Sequence, residues 1–464
     1  MNQMALLPID TTTPLNRPFD SDYRLANGIC SGNLHYYGRY FGDPRARLFW
    51  NEEKLFLGIV PPFGRSFSEL LNSHQLDKLF ERRLLFGVER MYMAPSGFDA
   101  VYRLDSTPRI TYWHEWSRKM WRAAALRLIA LLSDLAEQGL TVRNLHPWNL
   151  LFDGQQFSYA NPGSIVPLEA DTFARSYEKL ARFFIRPLIL SEHGSEHIAR
   201  RLNEDPRDGV LMEDVGHLDC VWAEWDGNGD RHEILLFLEE LASEVESMSG
   251  HSSSDRWIDY FATDCDFGPG TSWTRKQDVL RTLLEDAGIR TVLDLGSNAG
   301  HYAQLAAQSG RQVFAADVDP ALVDILFERT QESGISLYPL VLDFTHPTAG
   351  RGIAYRWFPP VTERIMSDLV LCFALAHHMV FGKYRLDFDQ VACGVRNFSR
   401  AWALVEYVER GNIQPALWRP DADGWYSVEE FARAFGRYFR SVQILPPALD
   451  GRQLLLCGPD RRQL

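Results

Sequence analysis

The stretch Val292-Leu293-Asp294-Leu295-Gly296-Ser297-Asn298-Ala299-Gly300 decides how this chain folds. Thr291–Leu295 is a short apolar run that stops at a glycine, the pattern of a buried strand. Gly296 and Gly300 then permit a sharp turn and a close approach of backbone to a ligand. Tyr302–Gln308 follows as a helix, and Gln312–Val318 as a second strand that carries Asp317 near its end. Asp319-Pro320 supplies an N-cap and a first-turn proline, so a helix is predicted from there to about Ser333. Leu337–Leu342, Asp368–Phe373 and Ala401–Val405 read as strands three, four and five. Ser441–Leu445 and Gln453–Cys457 flank a turn at Asp450-Gly451 and read as a closing antiparallel pair. Upstream, Arg275–Ala287 sets Val279, Leu280, Leu283, Leu284 and Ala287 on one helical stripe. Strands alternating with helices predict an α/β fold with a Rossmann-like, doubly wound sheet.

Ligands of such sheets lie beyond the carboxyl ends of the strands, where the strand order reverses. A dinucleotide site would ask for Gly-x-Gly-x-x-Gly at this turn, with backbone amides against a pyrophosphate. Asn298 and His301 stand at the second and third glycine positions and obstruct that group. S-adenosylmethionine (SAM) has no phosphate and carries a sulfonium, so acidic neighbours suit it better. Asp294 is expected to hold the cationic methionine end, directly or through water. Asp317, about 20 residues past the turn, is expected to accept from ribose hydroxyls. Asp343 closes strand three and is expected to meet the adenine amino group. The plain alternatives are a turn, a helix cap and a solvated loop acid. Three acids at three successive strand ends outweigh them.

Val292–Gly300, Asp317 and the run Ser367-Asp368-Leu369-Val370-Leu371-Cys372-Phe373-Ala374-Leu375-Ala376-His377-His378 resemble class I SAM-dependent methyltransferases. The similarity is to a bacterial family that includes the rhizobial nodulation host-specificity methyltransferases. In that family the turn often reads Gly-Cys-Asn-x-Gly, strand four ends in a His-His pair, and strand five ends in an acid, matched here by Glu406. The resemblance covers residues 255–460 or so. It implies SAM as cofactor, held by Asp294, Gly296, Ser297, Asn298, Gly300, Tyr302, Asp317, Val318, Asp343 and Phe344. Ser297 replaces the usual Cys, and the residues after Glu406-Tyr407-Val408 depart from the family pattern. Those departures bear on substrate contacts more than on the cofactor.

Methyl transfer from a sulfonium is an in-line displacement in which the protein mainly supplies proximity and alignment. A hydroxyl or protonated amine as acceptor also gains from a general base, and a His near neutrality suits that role. His377 and His378 follow strand four on the ligand side, and one of them is expected to face the site. Glu406 is the second candidate base. Asp368 begins its strand and reads as structural. The Asn/Asp-Pro-Pro-aromatic motif of adenine or glutamine N-methylation is absent after strand four.

The chain divides at Ser243–Asp255 (SEVESMSGHSSSD), a small, polar, Gly/Ser-rich stretch read as a linker. Residues 1–245 then form one unit and 246–464 the methyltransferase-like one. Within the first, residues 40–110 show short β-like runs, and Trp113–Glu137 and Tyr177–Leu190 read as helices. Leu140–Gly154 and Tyr159–Ser164 resemble a kinase catalytic loop followed by its metal-binding Asp-Phe-Gly segment, implying a mixed α+β, degenerate kinase-like domain. Asn144 and Asn161 stand where the catalytic and metal-binding acids belong, and only Asn149 matches a metal-binding position. No Gly-rich phosphate loop or Val-Ala-Ile-Lys strand precedes them. Phosphotransfer is not expected, and His146, Asn149 and Asp153 read as bracing a turn. Tyr112–Ser117 is similar to a Tyr-Pro-x-Glu-Trp-Ser stretch of the same bacterial family. The aromatic clusters Tyr36–Trp50 and Tyr112–Trp121 read as core packing rather than a stacking platform.

Composition bounds the partners. The 464 residues hold 61 acidic and 48 basic side chains, a formal charge of −13, which disfavours a large nucleic-acid footprint. Six cysteines (Cys30, Cys220, Cys265, Cys372, Cys393, Cys457) lie far apart with no C-x-x-C pair, so no metal site is expected and a reducing cytosol fits. The N-terminus shows no signal-peptide pattern, and Arg127 and Asp134 interrupt the longest apolar run, so no membrane association is expected. The expected activity is cytoplasmic methylation of a small-molecule acceptor, a secondary metabolite or sugar derivative. The rivals are a SAM-binding enzyme of other chemistry, such as SAM cyclisation, and a non-enzymatic adaptor.

Overall fold

The computed structural model describes residues 43–248 and 275–459, with short interruptions, and a strand at His35–Tyr37. The first half opens with strands β1 (His35–Tyr37), β2 (Ala46–Asn51) and β3 (Lys54–Ile59). Helices α1 (Gly64–Asn72) and α2 (Asp77–Glu81) follow, then β4 (Val88–Arg90) and β5 (Ala100–Leu104). These strands form one antiparallel sheet in the order β1-β2-β3-β5-β4. Alternation gives it two packed faces: Leu48, Leu55, Leu57 and Ile59 fill one and Phe49 and Phe56 the other. Helix α3 (Arg118–Glu137) leads into two short ladders. One pairs β6 (Leu140–Val142) with β9 (Ile165–Pro167), the other β7 (Leu150–Phe152) with β8 (Phe157–Tyr159). Helices α4 (Ala170–Leu180), α5 (Arg186–Glu192), α6 (Glu196–Asn203), α7 (Met212–Val215) and α8 (Arg231–Ser247) complete the half.

Two expectations change here. The segment Trp113–Glu137 is not one helix: a 3₁₀ turn covers Trp113–Glu115, and α3 starts at Arg118. The Glu115 carboxylate accepts from the Tyr112 N–H at 2.8 Å and closes that turn early. Likewise, Ser243–Ser247 belong to α8 rather than to a linker. Asp230 caps that helix, and Ile234, Phe237, Leu238, Leu241 and Val245 carry its buried stripe to the last turn. Residues 249–255 of the proposed linker lie outside the described residues.

The second half follows the α/β reading closely. Helix α9 (Arg275–Leu284) precedes β10 (Thr291–Leu295), α10 (His301–Gln308), β11 (Gln312–Asp317), α11 (Pro320–Ser333) and β12 (Tyr338–Val341). Then come α12 (Val361–Arg364), β13 (Ser367–Cys372), α13 (Ala376–Phe381), α14 (Phe388–Phe398), β14 (Ser399–Val408), α15 (Val428–Phe435), β15 (Ser441–Ile444) and β16 (Arg452–Gly458). The sheet order is β12-β11-β10-β13-β14-β16-β15, parallel from β12 to β14, with β16 antiparallel to both neighbours. The order reverses between β10 and β13, so the Gly296 turn sits at the switch point. Asp368 is structural as expected: its carboxylate accepts from Arg290 N at 3.0 Å and Thr291 N at 2.9 Å, locking the start of β10 to β13.

The halves share one apolar core, in which Trp116, Phe152 and Phe157 of the first meet Phe327, Tyr338 and Phe358 of the second. The β12 edge and α11 lie against the β7–β8 ladder, where Leu337 N donates to Gly154 O at 3.2 Å. Asp324 on α11 accepts from Lys119 N at 2.8 Å and so caps α3 from the other half. The buried side chains of Arg364 and Glu115 form an ion pair across the junction, and the guanidinium lies 3.7 Å from the Tyr112 ring centre. Among the described residues no helix is long and apolar enough to cross a membrane.

Candidate active site at the carboxyl end of the sheet

The glycine turn is built from left-handed residues: φ is 70° at Gly296, 51° at Asn298 and 81° at Gly300. Glycine takes this conformation freely and Asn tolerates it better than most residues. Gly296 N and Ser297 N donate to Ala316 O at 2.8 and 3.0 Å, tying the turn to β11. A Cβ on Gly296 would lie 3.2 Å from the Leu375 side chain, and one on Gly300 would clash with Leu326. Side chains therefore approach the turn from the loop after β13 and from α11. Tyr302 opens α10 behind it, packing on Phe373 at 4.7 Å between ring centres.

The three acids meet different surroundings. Asp294 is 2% exposed, accepts from the Ala303 N–H, and keeps Oδ2 without a partner among the described residues. Burial, then the charge of Asp317, push its carboxyl up to about 7. Asp317 accepts from Asn298 N at 2.9 Å through Oδ2 and from Asp319 N at 3.0 Å through Oδ1; burial raises it as well, against those donors. Each Asp317 oxygen retains lone-pair capacity for a further donor. Asp319 acts as the expected cap, accepting from Ala321 N at 3.0 Å. Asp343 is more committed than the sequence suggests. Oδ1 takes Thr345 N at 2.8 Å and Thr345 Oγ1 at 2.6 Å, and Oδ2 takes the Tyr384 hydroxyl at 2.9 Å. Burial opposes ionisation there, yet those hydrogen bonds hold the carboxyl below its ordinary range. Beside the acids, Val318 leaves 60% of its surface exposed and Phe344 packs against Gly394.

The loop after β13 brings the two histidines together rather than apart. Their ring centres lie 4.0 Å apart, with His377 buried and His378 half-buried. Both lie in the first turn of α13, with their ring planes tilted by 38°. Burial, then the neighbouring His378 and Arg452, lower His377 to about 3, and burial lowers His378 too. Both rings are thus neutral at pH 7, and His377 Nδ1 has no partner among the described residues. His377 is far from the near-neutral pKa expected of an efficient base.

Glu406 differs most from its expected place. It lies inside β14, which continues to Val408, and is 1% exposed. Its Oε2 accepts from Ala374 N at 2.7 Å, and its Oε1 lies 3.0 Å from the Lys276 ammonium. A carboxylate so paired serves as an anchor and is poorly disposed to take a substrate proton. Lys276 escapes the sequence reading, although it occupies the i−3 position of the Val279, Leu280, Leu283 stripe on α9. A lysine on a buried stripe is the signal that would have found it.

No family model matches this chain. It is 24% identical over 375 residues to the nodulation protein NoeA of Rhizobium meliloti (strain 1021), spanning 72% of this chain and 76% of that protein. Among solved structures it is similar to WbdD, crystallised with the kinase inhibitor LY294002, at TM-score 0.31 and 12% identity. That match covers 45% of this chain and 44% of WbdD, so less than half of the WbdD chain is spanned. The magnesium protoporphyrin IX methyltransferase ChlM of Synechocystis PCC 6803 with bound SAM gives TM-score 0.28 and 10% identity, over 40% of this chain and 80% of ChlM. The PH0226 protein of Pyrococcus horikoshii OT3 gives 0.32 and 13%, over 44% of this chain and 99% of that one.

Proposed function

We propose that the chain is a SAM-dependent methyltransferase acting on a small-molecule acceptor. The buried Asp294 Oδ2 carries the proposal, because a desolvated carboxylate oxygen without a partner calls for a cation. The ammonium of a bound methionine moiety would supply one. Asp317 would accept from the ribose hydroxyls through its remaining lone pairs. Asp343 would offer adenine what the Tyr384 bond leaves on Oδ2, and exposed Val318 an apolar surface for the base. Gly296, Ser297, Asn298, Gly300, Tyr302 and Phe344 would shape the cradle. The strand order supports this reading, since a parallel sheet closed by an antiparallel β15–β16 pair is the class I methyltransferase arrangement.

When bound, SAM supplies an electrophilic methyl group on a cationic sulfur. The chain's own residues align the acceptor and exclude water. His377 stays neutral, so its unpartnered Nδ1 can accept a hydrogen bond from an acceptor hydroxyl or amine and orient the lone pair. The net charge of −13 favours an uncharged or cationic small molecule over nucleic acid.

The first half we read as kinase-like. The order β1-β2-β3-β5-β4 with helices inserted between β3 and β4, then α3 and the β6–β9 and β7–β8 ladders, supports that reading. Asn144 and Asn161 remove its acids. Calorimetry with SAM and S-adenosylhomocysteine tests the main proposal: binding is expected, and Asp317→Ala should weaken it about tenfold or more. Unchanged binding in that variant would sink the cofactor assignment. Product analysis then separates the chemistries, because methylthioadenosine in place of S-adenosylhomocysteine would contradict methyl transfer.

A further inference from the structure

Lys276 is 2% exposed, and no part of the proposed chemistry uses it. Its ammonium lies 3.0 Å from Glu406 Oε1 and 5.8 Å from the ring centres of both Tyr302 and Phe373. Arg452, 3.6 Å from the same oxygen and at the edge of solvent, is a weaker second cation. The other Glu406 oxygen accepts from Ala374 N at 2.7 Å. Ala374 has a φ of 48°, a conformation that L-residues other than Gly, Asn and Asp seldom adopt. The next residue, Leu375, is the one whose side chain sits 3.2 Å from the place of a Gly296 Cβ. His377 and His378 follow in α13. A chain of contacts therefore runs from Lys276 through Glu406 and the strained Ala374 to the cofactor turn and the histidine pair.

We propose that Lys276 is a positioning residue of this site. By neutralising Glu406 it keeps the carboxylate a fixed acceptor for the Ala374 N–H, which holds Leu375 against the Gly296 turn and aims α13. The inference rests on the methyltransferase reading for its purpose, but its geometry stands on this chain alone. Glu406, expected from sequence to be a base, becomes the middle of a clamp. Lys276 on the first described helix after residue 274 thus couples the entry of this half to the loop that carries the histidines.

A charge-removal cycle tests it. Lys276→Met should weaken S-adenosylhomocysteine binding about tenfold and shift the side-chain NMR resonances of His377 and His378, assigned with His377→Gln and His378→Gln. Lys276→Met combined with Glu406→Gln removes both charges of the pair, yet the amide oxygen still accepts from Ala374. That double variant should return affinity to within about threefold of wild type and restore the resonances. Lys276→Arg should do the same. Lys276→Met indistinguishable from wild type overturns the proposal. So does a double variant as weak as the single one, which would make Lys276 a direct cofactor contact. If Lys276→Met does not fold, the double variant decides alone: wild-type behaviour supports the clamp and weakened binding overturns it. Wild-type protein that binds no S-adenosylhomocysteine sinks the cofactor reading instead, and the histidine resonances still test the clamp.

Discussion

The two halves of the molecule each place a polar loop beyond short strands, and they treat its polar groups differently. In the first half the loop spends most of them on backbone carbonyls, Asn161 Oδ1 excepted. Asn149 Nδ2 donates to Asn144 O at 3.1 Å, the Tyr159 hydroxyl donates to the same carbonyl at 2.8 Å, and Ser164 Oγ donates to Asn161 O at 2.9 Å. His146 Nε2 lies 2.7 Å from Pro206 O. The loop also touches the sheet above it: a Cβ on Gly163 would come within 2.8 Å of Ile59 and 2.9 Å of Ala46. In a kinase-like unit that is where a nucleotide would lie. In the second half Asp294 remains buried and half-satisfied, and the turn is opened by left-handed residues. The lesson is that unspent buried polarity, more than the presence of a motif, separates a ligand site from a scaffold.

If the first half is a scaffold, its largest effect is on stability. Arg364→Met should cost about 3–5 kcal/mol, because it leaves the buried Glu115 carboxylate without its cation at the junction. Denaturant unfolding measures this, and a loss below about 1 kcal/mol would show that the halves do not depend on each other through this pair. The sign with pH also follows. Burial raises Glu115, but Arg364 outweighs it and the carboxyl lies below its ordinary range. The pair therefore stabilises above the unfolded Glu value and fades as pH falls through the lower folded value.

The second expected effect concerns Asp294 and lies on affinity instead. Asp294→Asn should weaken SAM binding about 10–100-fold by removing a charged acceptor. It should leave the free protein as stable or more so at pH 8, since an unpaired buried carboxylate is lost. In wild type the folded carboxyl titrates at about 7, above its unfolded value, so ionisation opposes folding as pH rises towards 7. Cation binding needs the ionised form. Affinity should accordingly fall by up to about tenfold per unit as pH drops below 7, with proton release on binding near neutrality. Calorimetry in buffers of differing ionisation enthalpy reads that release. Flat affinity from pH 6 to 8 would remove Asp294 from the cofactor.

These contrasts were unevenly legible in the sequence. The second sheet was readable because period, caps and glycines agree locally: β10 is Thr291–Leu295 as expected and α11 ends at Ser333. The turn at Gly296 and the cap at Asp319 were equally plain. What sequence could not supply is pairing across the fold. Glu406 looked like a free strand-end acid until α9 brought Lys276 to it. The histidine pair looked suited to proton transfer until burial showed how far the rings are held from protonation. Nothing local in Glu115 announces Arg364, 249 residues away.

The smallest expected effect is the sharpest test of the contrast between the halves. A ligand at about 100 times its dissociation constant stabilises a protein by about 2.7 kcal/mol, so SAM should raise the melting temperature by several degrees. Magnesium-ATP at millimolar concentration should not move it. On the kinase-like reading, Gly163 packs where a nucleotide would enter, Asn161 would offer magnesium an amide in place of a carboxylate, and the Val-Ala-Ile-Lys strand pattern is absent from the sequence. Asn161 Oδ1 is buried without a partner among the described residues, which makes it the atom of that loop best placed to argue otherwise. A nucleotide-dependent shift that Asn161→Ala abolishes would mean the cleft opens and that its unspent oxygen marks a second ligand. A null result for ATP beside a clear shift with SAM would leave the first half a structural role, in which it covers the β12 edge and supplies Glu115 to Arg364.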